Sequence, residues 1–164
     1  MEYRKVHTSE INEVAALHNE LAYYIQKETK DAYWDFGILS IEDISRHLSE
    51  FIGHPEHNLL IAKDDNKIVG FIAGELLHCH LPISSVKKIG YISGAFVLSE
   101  FRGKGIMKTL EKLMIDFFRT CSVKYVELNF ISNNIIAKNS WRSMGYETFR
   151  EQARKDILNT EIRH

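Results

Sequence analysis

Residues 96–110, FVLSEFRGKGIMKTL, pass from an apolar strand pattern through Gly103, Lys104 and Gly105 into a helical pattern. Ile106, Met107, Leu110, Leu113, Met114, Phe117 and Phe118 recur at helical spacing, so this helix has one apolar face to bury. The strand therefore belongs in a sheet and the helix in a layer packed on it. Glycines at such a junction let backbone N–H groups converge, and the helix N-terminus adds a partial positive charge. A phosphate or pyrophosphate suits that geometry, with Arg102 and Lys104 adding charge. An ordinary tight turn entering a helix fits the same residues.

The flanking periods extend the pattern. Tyr3 to His7 alternate as a short strand, and Thr8 and Ser9 are helix-capping types. Ile11, Val14, Ala15, His18, Leu21, Ala22 and Ile25 then follow helical spacing until the polar and aromatic stretch KETKDAYWDFG. Ser40 and Asp43 form a near capping box for a second helix, with Ile41, Ile44, Leu48, Phe51 and Ile52 on its apolar face. Residues 58–78 read as a β-hairpin turning at Asp64, Asp65 and Asn66. A strand over about 88–98 precedes the glycine junction and its helix, and another strand spans about 123–131. A helix from Asn134 to Met144, stopped by Gly145, and a last strand over 146–153 complete the order β-α-α-β-β-β-α-β-α-β. That order predicts a mixed sheet with helices packed on it, an α/β or α+β fold, with the tail from Arg154 unassigned.

Neither repeat nor linker divides the chain, and 164 residues with 45% hydrophobic content suit a single domain spanning 1–164. A formal charge of -1 argues against a strongly basic nucleic-acid binder. No run approaches the roughly 18 apolar residues of a membrane helix, and MEYRKVHTSEINE lacks the apolar stretch of a signal peptide. Two cysteines, Cys79 and Cys121, are too few for a disulfide scaffold. The expectation is a cytoplasmic protein with no nucleic-acid or membrane partner. Its charge is uneven: residues 1–50 carry a net -5 and residues 51–164 a net +4. Two faces for differently charged ligands would explain that split, as would ordinary surface variation.

Two nucleotide-binding loops fail against the junction. Lys108-Thr109 follows Met107 where a P-loop needs glycine, and Lys108 stands where the dinucleotide fingerprint needs its third glycine. The segment instead resembles the signature of the GNAT superfamily of N-acetyltransferases, Arg/Gln-x-x-Gly-x-Gly/Ala, here Arg102-Gly103-Lys104-Gly105-Ile106-Met107. A second signature of that family, Asn-x-x-Ala-x-x-x-Tyr-x-x-x-Gly-Phe, resembles Asn134, Ala137, Trp141, Gly145 and Tyr146 in register. The strand between the two motifs is where the family has one.

The resemblance implies a GNAT-like mixed, mostly antiparallel central sheet with helices on both faces. It implies acetyl-CoA as cosubstrate, with its pantetheine arm between splayed fourth and fifth strands. The backbone of Phe96, Val97 and Leu98 would hold that arm, Arg102 to Met107 the pyrophosphate, and Asn134 the pantetheine from the other side. Met107 replaces the usual Gly or Ala, and Trp141 replaces a tyrosine often held to protonate the leaving thiolate. Indole N–H is no useful acid, so Tyr146 or water would take that role. The implied reaction is direct attack of a primary amine of a small molecule or protein on the thioester, without a covalent enzyme intermediate.

A protonated amine needs a base, for which Glu127 and Glu75 are the candidates, each also readable as a solvated strand residue. Asp31, Tyr33, Trp34, Asp35 and Phe36 lie where the family walls its acceptor pocket, and carboxylates beside rings suit a cation. His78 and His80 are further candidates to line that cleft, while His54 and His57 are placed in a loop. The histidine spacing is weak support for a metal, and none is expected. Family members often pair through C-terminal strands, which makes a homodimer one expectation. A catalytically weak acyl-CoA-binding or regulatory module is the alternative reading.

Overall fold

Five strands form one sheet in sequence order in a computed structural model that describes residues 1–158. β1 (Glu2–Lys5) pairs antiparallel with β2 (His57–Asp64), β2 with β3 (Lys67–His78), and β3 with β4 (Lys88–Val97). β5 (Val126–Leu128) joins β4 in parallel. The helices are α1 (Ile11–Thr29), α2 (Ile41–Ser49), α3 (Ile106–Thr120) and α4 (Ile135–Ser143). The expected mixed, mostly antiparallel sheet is present.

The two sheet faces are covered by different helices. On one, α3 drops Met114 and Phe118 onto β3 and β4 so closely that a Cβ at Gly74 would meet Met114 Sδ at 2.6 Å. A Cβ at Gly90 would meet the Phe118 ring at 2.7 Å, so this aromatic packs directly on backbone. On the other face, His18 of α1 stacks on Phe71 at 5.9 Å and Tyr24 meets Phe96 at 6.4 Å. The core lies along these contacts: Val14, Ile61, Phe71, Ile72, Leu110, Met114 and Phe118 are all fully buried.

One irregularity opens the sheet on the side of β5. Ala73 pairs with Gly94 but Gly74 pairs with Ile92, so Ser93 is an extra residue on β4. Such a bulge bends its strand and resets its alternation. Gly90 faces α3, whereas Gly94 faces Phe71 and His18. β5 pairs with Gly90, Tyr91 and Ile92, immediately before the bulge, and β4 then runs on to Val97.

Local signals place most elements. Ser40 Oγ accepts from the Asp43 N–H at 3.2 Å and starts α2. Asp65, at φ +50°, makes the two-residue turn that joins Asp64 to Lys67. Several boundaries differ from expectation. β1 ends at Lys5, and His57 opens β2 instead of lying in a loop. The fifth strand is three residues long, not nine, because Ser122 precedes it at φ +58° and Asn129 leaves it to bond Tyr91. The last strand is absent among the described residues: 146–153 has no ladder. Alternate positions there give Tyr146, Thr148, Arg150 and Gln152, or Glu147, Phe149, Glu151 and Ala153, so neither face is apolar enough to drive pairing.

A charged cluster ties β1 and β2 to the turn before α1. Glu10 accepts from Arg4 at 2.7 and 2.8 Å, from Lys63 at 2.8 Å and from the His7 N–H at 3.1 Å. Arg4 is the main cause that holds the Glu10 carboxyl far below its ordinary value of 4.5. A carboxylate depressed in the folded state stabilises it above the ordinary value, and that stabilisation disappears as pH falls below it. Glu10→Gln should cost about 1–2 kcal/mol at neutral pH. Denaturant unfolding at several pH values should show that difference shrinking below pH 4.5.

Candidate active site

The open end of β4 is the first part of the site. Leu98 N–H donates to Val69 O at 2.9 Å, toward β3. By strand alternation Phe96 also turns its backbone groups to β3, while Ala95 and Val97 turn theirs to the side that β5 has left. Of the three backbones expected there, Val97 thus faces the gap, and the Leu98 N–H is already bonded. Arg102 closes the end of the strand: its Nε donates to Val97 O at 3.0 Å. Its guanidinium lies 4.8 Å from the Tyr24 ring centroid and 5.4 Å from that of Phe96. This side chain clasps the end of β4 and so braces the gap, while Arg102 itself stays exposed. The Tyr24 hydroxyl beside it is buried and has no hydrogen-bond partner among the described residues.

The glycine junction comes next along the chain. Gly103 and Gly105 adopt φ +75° and +77°, a region open to glycine and costly for side chains. Nothing lies within 4 Å of a Cβ built at either position, so the space above the loop is free. Gly105 caps α3, its carbonyl accepting from Thr109 N–H at 3.0 Å. Ile106 is buried, and Met107 packs on the core edge. The departure at Met107 therefore leaves the N–H groups of the first turn pointing out. Lys104 lies 4.8 Å over Phe101, exposed at the rim.

Across the gap, Asn134 caps α4, its Oδ1 accepting from Ala137 N–H at 3.1 Å. Asn133 Nδ2 donates to Thr29 O at 2.9 Å and ties this loop to the end of α1. Trp141 packs edge-on to Tyr146 at 5.3 Å. The Tyr146 hydroxyl donates to Glu111 of α3 at 3.1 Å, and burial, then the Glu111 charge, pushes the phenol well above its ordinary value. Burial also raises Glu111. These groups border a cavity of about 500 Å³ between α3, β5 and the residues after α4, lined also by Phe118, Arg119 and Val123.

The third part is a row of ionisable side chains that periodicity alone did not disclose. His57 pairs with Glu75, Glu75 with Tyr91, and Tyr91 with Glu127, one from each of four strands. Directly opposed residues share a face, and this face is the one α1 covers, since Gly90 turns the other way. His57 Nε2 lies 4.0 Å from Glu75 Oε2. Asn129 Nδ2 donates to the Tyr91 hydroxyl at 3.1 Å. Burial, with the Glu75 and Glu127 charges, raises the Tyr91 phenol, against the Asn129 bond and the Arg150 charge. Both base candidates thus flank one tyrosine.

The expected acceptor loop is a short turn, Ala32–Trp34, held by Gln26 Nε2, which donates to Trp34 O and Phe36 O at 2.8 and 3.0 Å. Asp31, 123 residues from Arg154, and Tyr33 both meet it. β3 ends at His78, and His80 lies beyond it, 6.4 Å from Phe149. Among the described residues no group of three His, Cys, Asp or Glu side chains is arranged to hold a metal, and no helix is long and apolar enough to cross a membrane.

Known proteins share the sequence pattern and the fold. Residues 18–146 match the Acetyltransferase (GNAT) family. An uncharacterized N-acetyltransferase from Archaeoglobus fulgidus is 27% identical over 109 residues, covering 66% of this chain and 73% of its own. A mutant of the BH1408 protein from Bacillus halodurans shares the fold with a TM-score of 0.83, at 23% identity over 96% of this chain and 100% of that one. A predicted acetyltransferase with acetyl-CoA from Clostridium acetobutylicum does so with a TM-score of 0.74, at 14% identity over 97% of both chains. The splayed strand, the glycine loop that caps α3 and the family match agree, and the chain belongs to the GNAT family of acetyltransferases.

Proposed function

We propose that this protein transfers an acetyl group from acetyl-CoA to a primary amine by direct attack in a ternary complex. The observation that carries this reading is the departure of β4 from β5 at the Ser93 bulge, next to the open glycine loop. Acetyl-CoA supplies an acetyl thioester, whose thiol, with a pKa near ~8.5, is a tolerable leaving group. The backbone of Ala95 would hold the pantetheine arm, and the N–H groups from Gly103 to Met107 the pyrophosphate. Asn134 and the unpartnered Tyr24 hydroxyl would supply polar contacts on either side. The Val97 N–H suits stabilisation of the oxyanion that develops on the thioester oxygen.

An amine with a pKa near ~10 arrives protonated, and Glu75 is the residue we assign to accept that proton. It is half-buried, His57 stands behind it at 4.0 Å, and Tyr91 separates it from Glu127. Glu127 sets the charge on the far side of Tyr91. Tyr146 is poorly placed as the acid, because its proton is held by Glu111 and its raised pKa makes it a weaker donor. The attacking nitrogen sheds its second proton as the intermediate collapses to the amide, and water carries it to the departing thiolate.

Thiol release from acetyl-CoA with a panel of primary amines, alongside calorimetric CoA binding, tests the proposal. Glu75→Gln should lower kcat about 10²–10³-fold with little change in the KM for acetyl-CoA, and Glu127→Gln should do less. Because Trp141 stands where the family often has a tyrosine and Tyr146 is tied to Glu111, an acyl-CoA-binding module is the second reading. Tight CoA binding with no thiol release on any amine would establish it.

A further inference from the structure

The segment after α4 crosses the face that carries the ionisable row. Phe149 lies beside His80, and Arg150 is near enough to Tyr91 for its charge to act on that phenol. Arg154 reaches furthest, donating to Asp31 Oδ1 at 3.0 Å and to Oδ2 at 2.6 Å. Its guanidinium lies 4.3 Å over the Tyr33 ring. A carboxylate that accepts a fork of two N–H donors beneath an aromatic face is a receptor for a planar or compact cation.

The two partners are held unequally. The Asp31 side chain is 14% exposed and that of Arg154 is 44% exposed. Asp31 Oδ1 also accepts from the Tyr33 N–H at 2.9 Å, and the Asp31 N–H donates to Thr29 Oγ1 at 3.3 Å. Thr29 is in turn bonded through its carbonyl to Asn133, beside Asn134 at the gap. The acid is therefore built into the wall of the site, whereas the arginine arrives on a segment with no ladder of its own.

We propose that Asp31 and Tyr33 form a cation subsite for acceptor amines that carry a second positive charge, and that Arg154 is a tethered occupant which such acceptors displace. That these amines are acceptors rests on the transferase reading above; their binding to the subsite does not. Arg154 is the more exposed partner and its segment has no ladder, so it is the member of the pair that a competing cation can displace. Its presence weakens apparent affinity by the fraction of molecules in which the subsite is already filled.

Calorimetry on CoA-loaded protein tests this with 4-guanidinobutylamine as the dication and butylamine as the monocation of equal chain length. Arg154→Ala should bind the dication about three- to tenfold more tightly and leave butylamine unchanged. Asp31→Asn should weaken the dication at least about tenfold, and the double variant should bind no better than Asp31→Asn alone. Tyr33→Leu, which spares every charge, should weaken it several-fold. In the wild type, the dication should speed hydrogen exchange at the backbone amides of residues 149–155. Unchanged or weaker binding by Arg154→Ala, or exchange that ignores the dication, would overturn the proposal. The expected binding pattern without thiol release would uphold the subsite and remove the transferase reading instead.

Discussion

Gly105→Val should lower acetyl-CoA affinity by about a hundredfold, with acetyl transfer falling in parallel. Two separate costs produce this. Gly105 sits at φ +77°, where a β-branched residue is strongly disfavoured, and forcing it there costs roughly 1–3 kcal/mol. Its Cβ would also enter the free space above the loop, where nothing now lies within 4 Å. Displacing the loop then removes charge-assisted N–H contacts to phosphate, worth about 1.5–3 kcal/mol each. Part of the strain can be relieved by local rearrangement, so global stability should fall less than affinity. Calorimetric titration of the variant against wild type, with unfolding measured in parallel, separates the two effects.

Phe118→Ala should cost about 3–5 kcal/mol, the largest stability loss expected here from one side chain. Phe118 is 1% exposed and seals the α3 face directly against the backbone of Gly90. The reverse change, Gly90→Ala, sets a methyl 2.7 Å from the ring and should cost about 1–3 kcal/mol by overpacking. Combined, the new methyl occupies part of the space the ring vacates, so the double variant should lose less than the two single losses together. Denaturant unfolding of all three checks this. Additive losses would mean that the ring and the glycine are not packed as described.

What could be read from the chain was local. The Ser40 cap, the turn at Asp65 and the glycine junction each depend on residues within a few positions of one another, and the structure holds them as expected. What could not be read depends on register. The hairpin slips by one residue between Ala62 and Lys63, which sets His57 opposite Glu75 instead of Gly74. A one-residue slip moves every later side chain to the other face, so the row from His57 to Glu127 exists only because of an irregularity that has no composition signal. The Ser93 bulge is of the same kind, since it becomes visible only through the partners of Ala73 and Gly74. The contacts of Arg102 could not be read either, because Tyr24 and Phe96, far apart in sequence, form the slot that takes its guanidinium. A final strand was expected over 146–153, but its residues offer no apolar face to bury.

The opposed charges of the two parts of the chain acquire a structural sense in the same way. Asp31 belongs to the acidic first 50 residues and walls the cation subsite. Lys104 and Lys108 belong to the basic remainder and are exposed beside the glycine loop. Arg154 joins the two, a basic residue of the second part seated on an acid of the first.

Backbone amide shifts of isotopically labelled protein during titration with acetyl-CoA test most directly whether the ligand lies in the gap beside β4. The predicted result is large, saturable shifts at Val97 and from Gly103 to Met107, with the N–H groups of the glycine loop moving in the direction expected for bonds to phosphate, and all of them lost in Gly105→Val. Shifts concentrated instead at Arg142, Gly145 and Thr148, around the cavity at the C-terminal end of α4, or no shifts at saturating ligand, would contradict it.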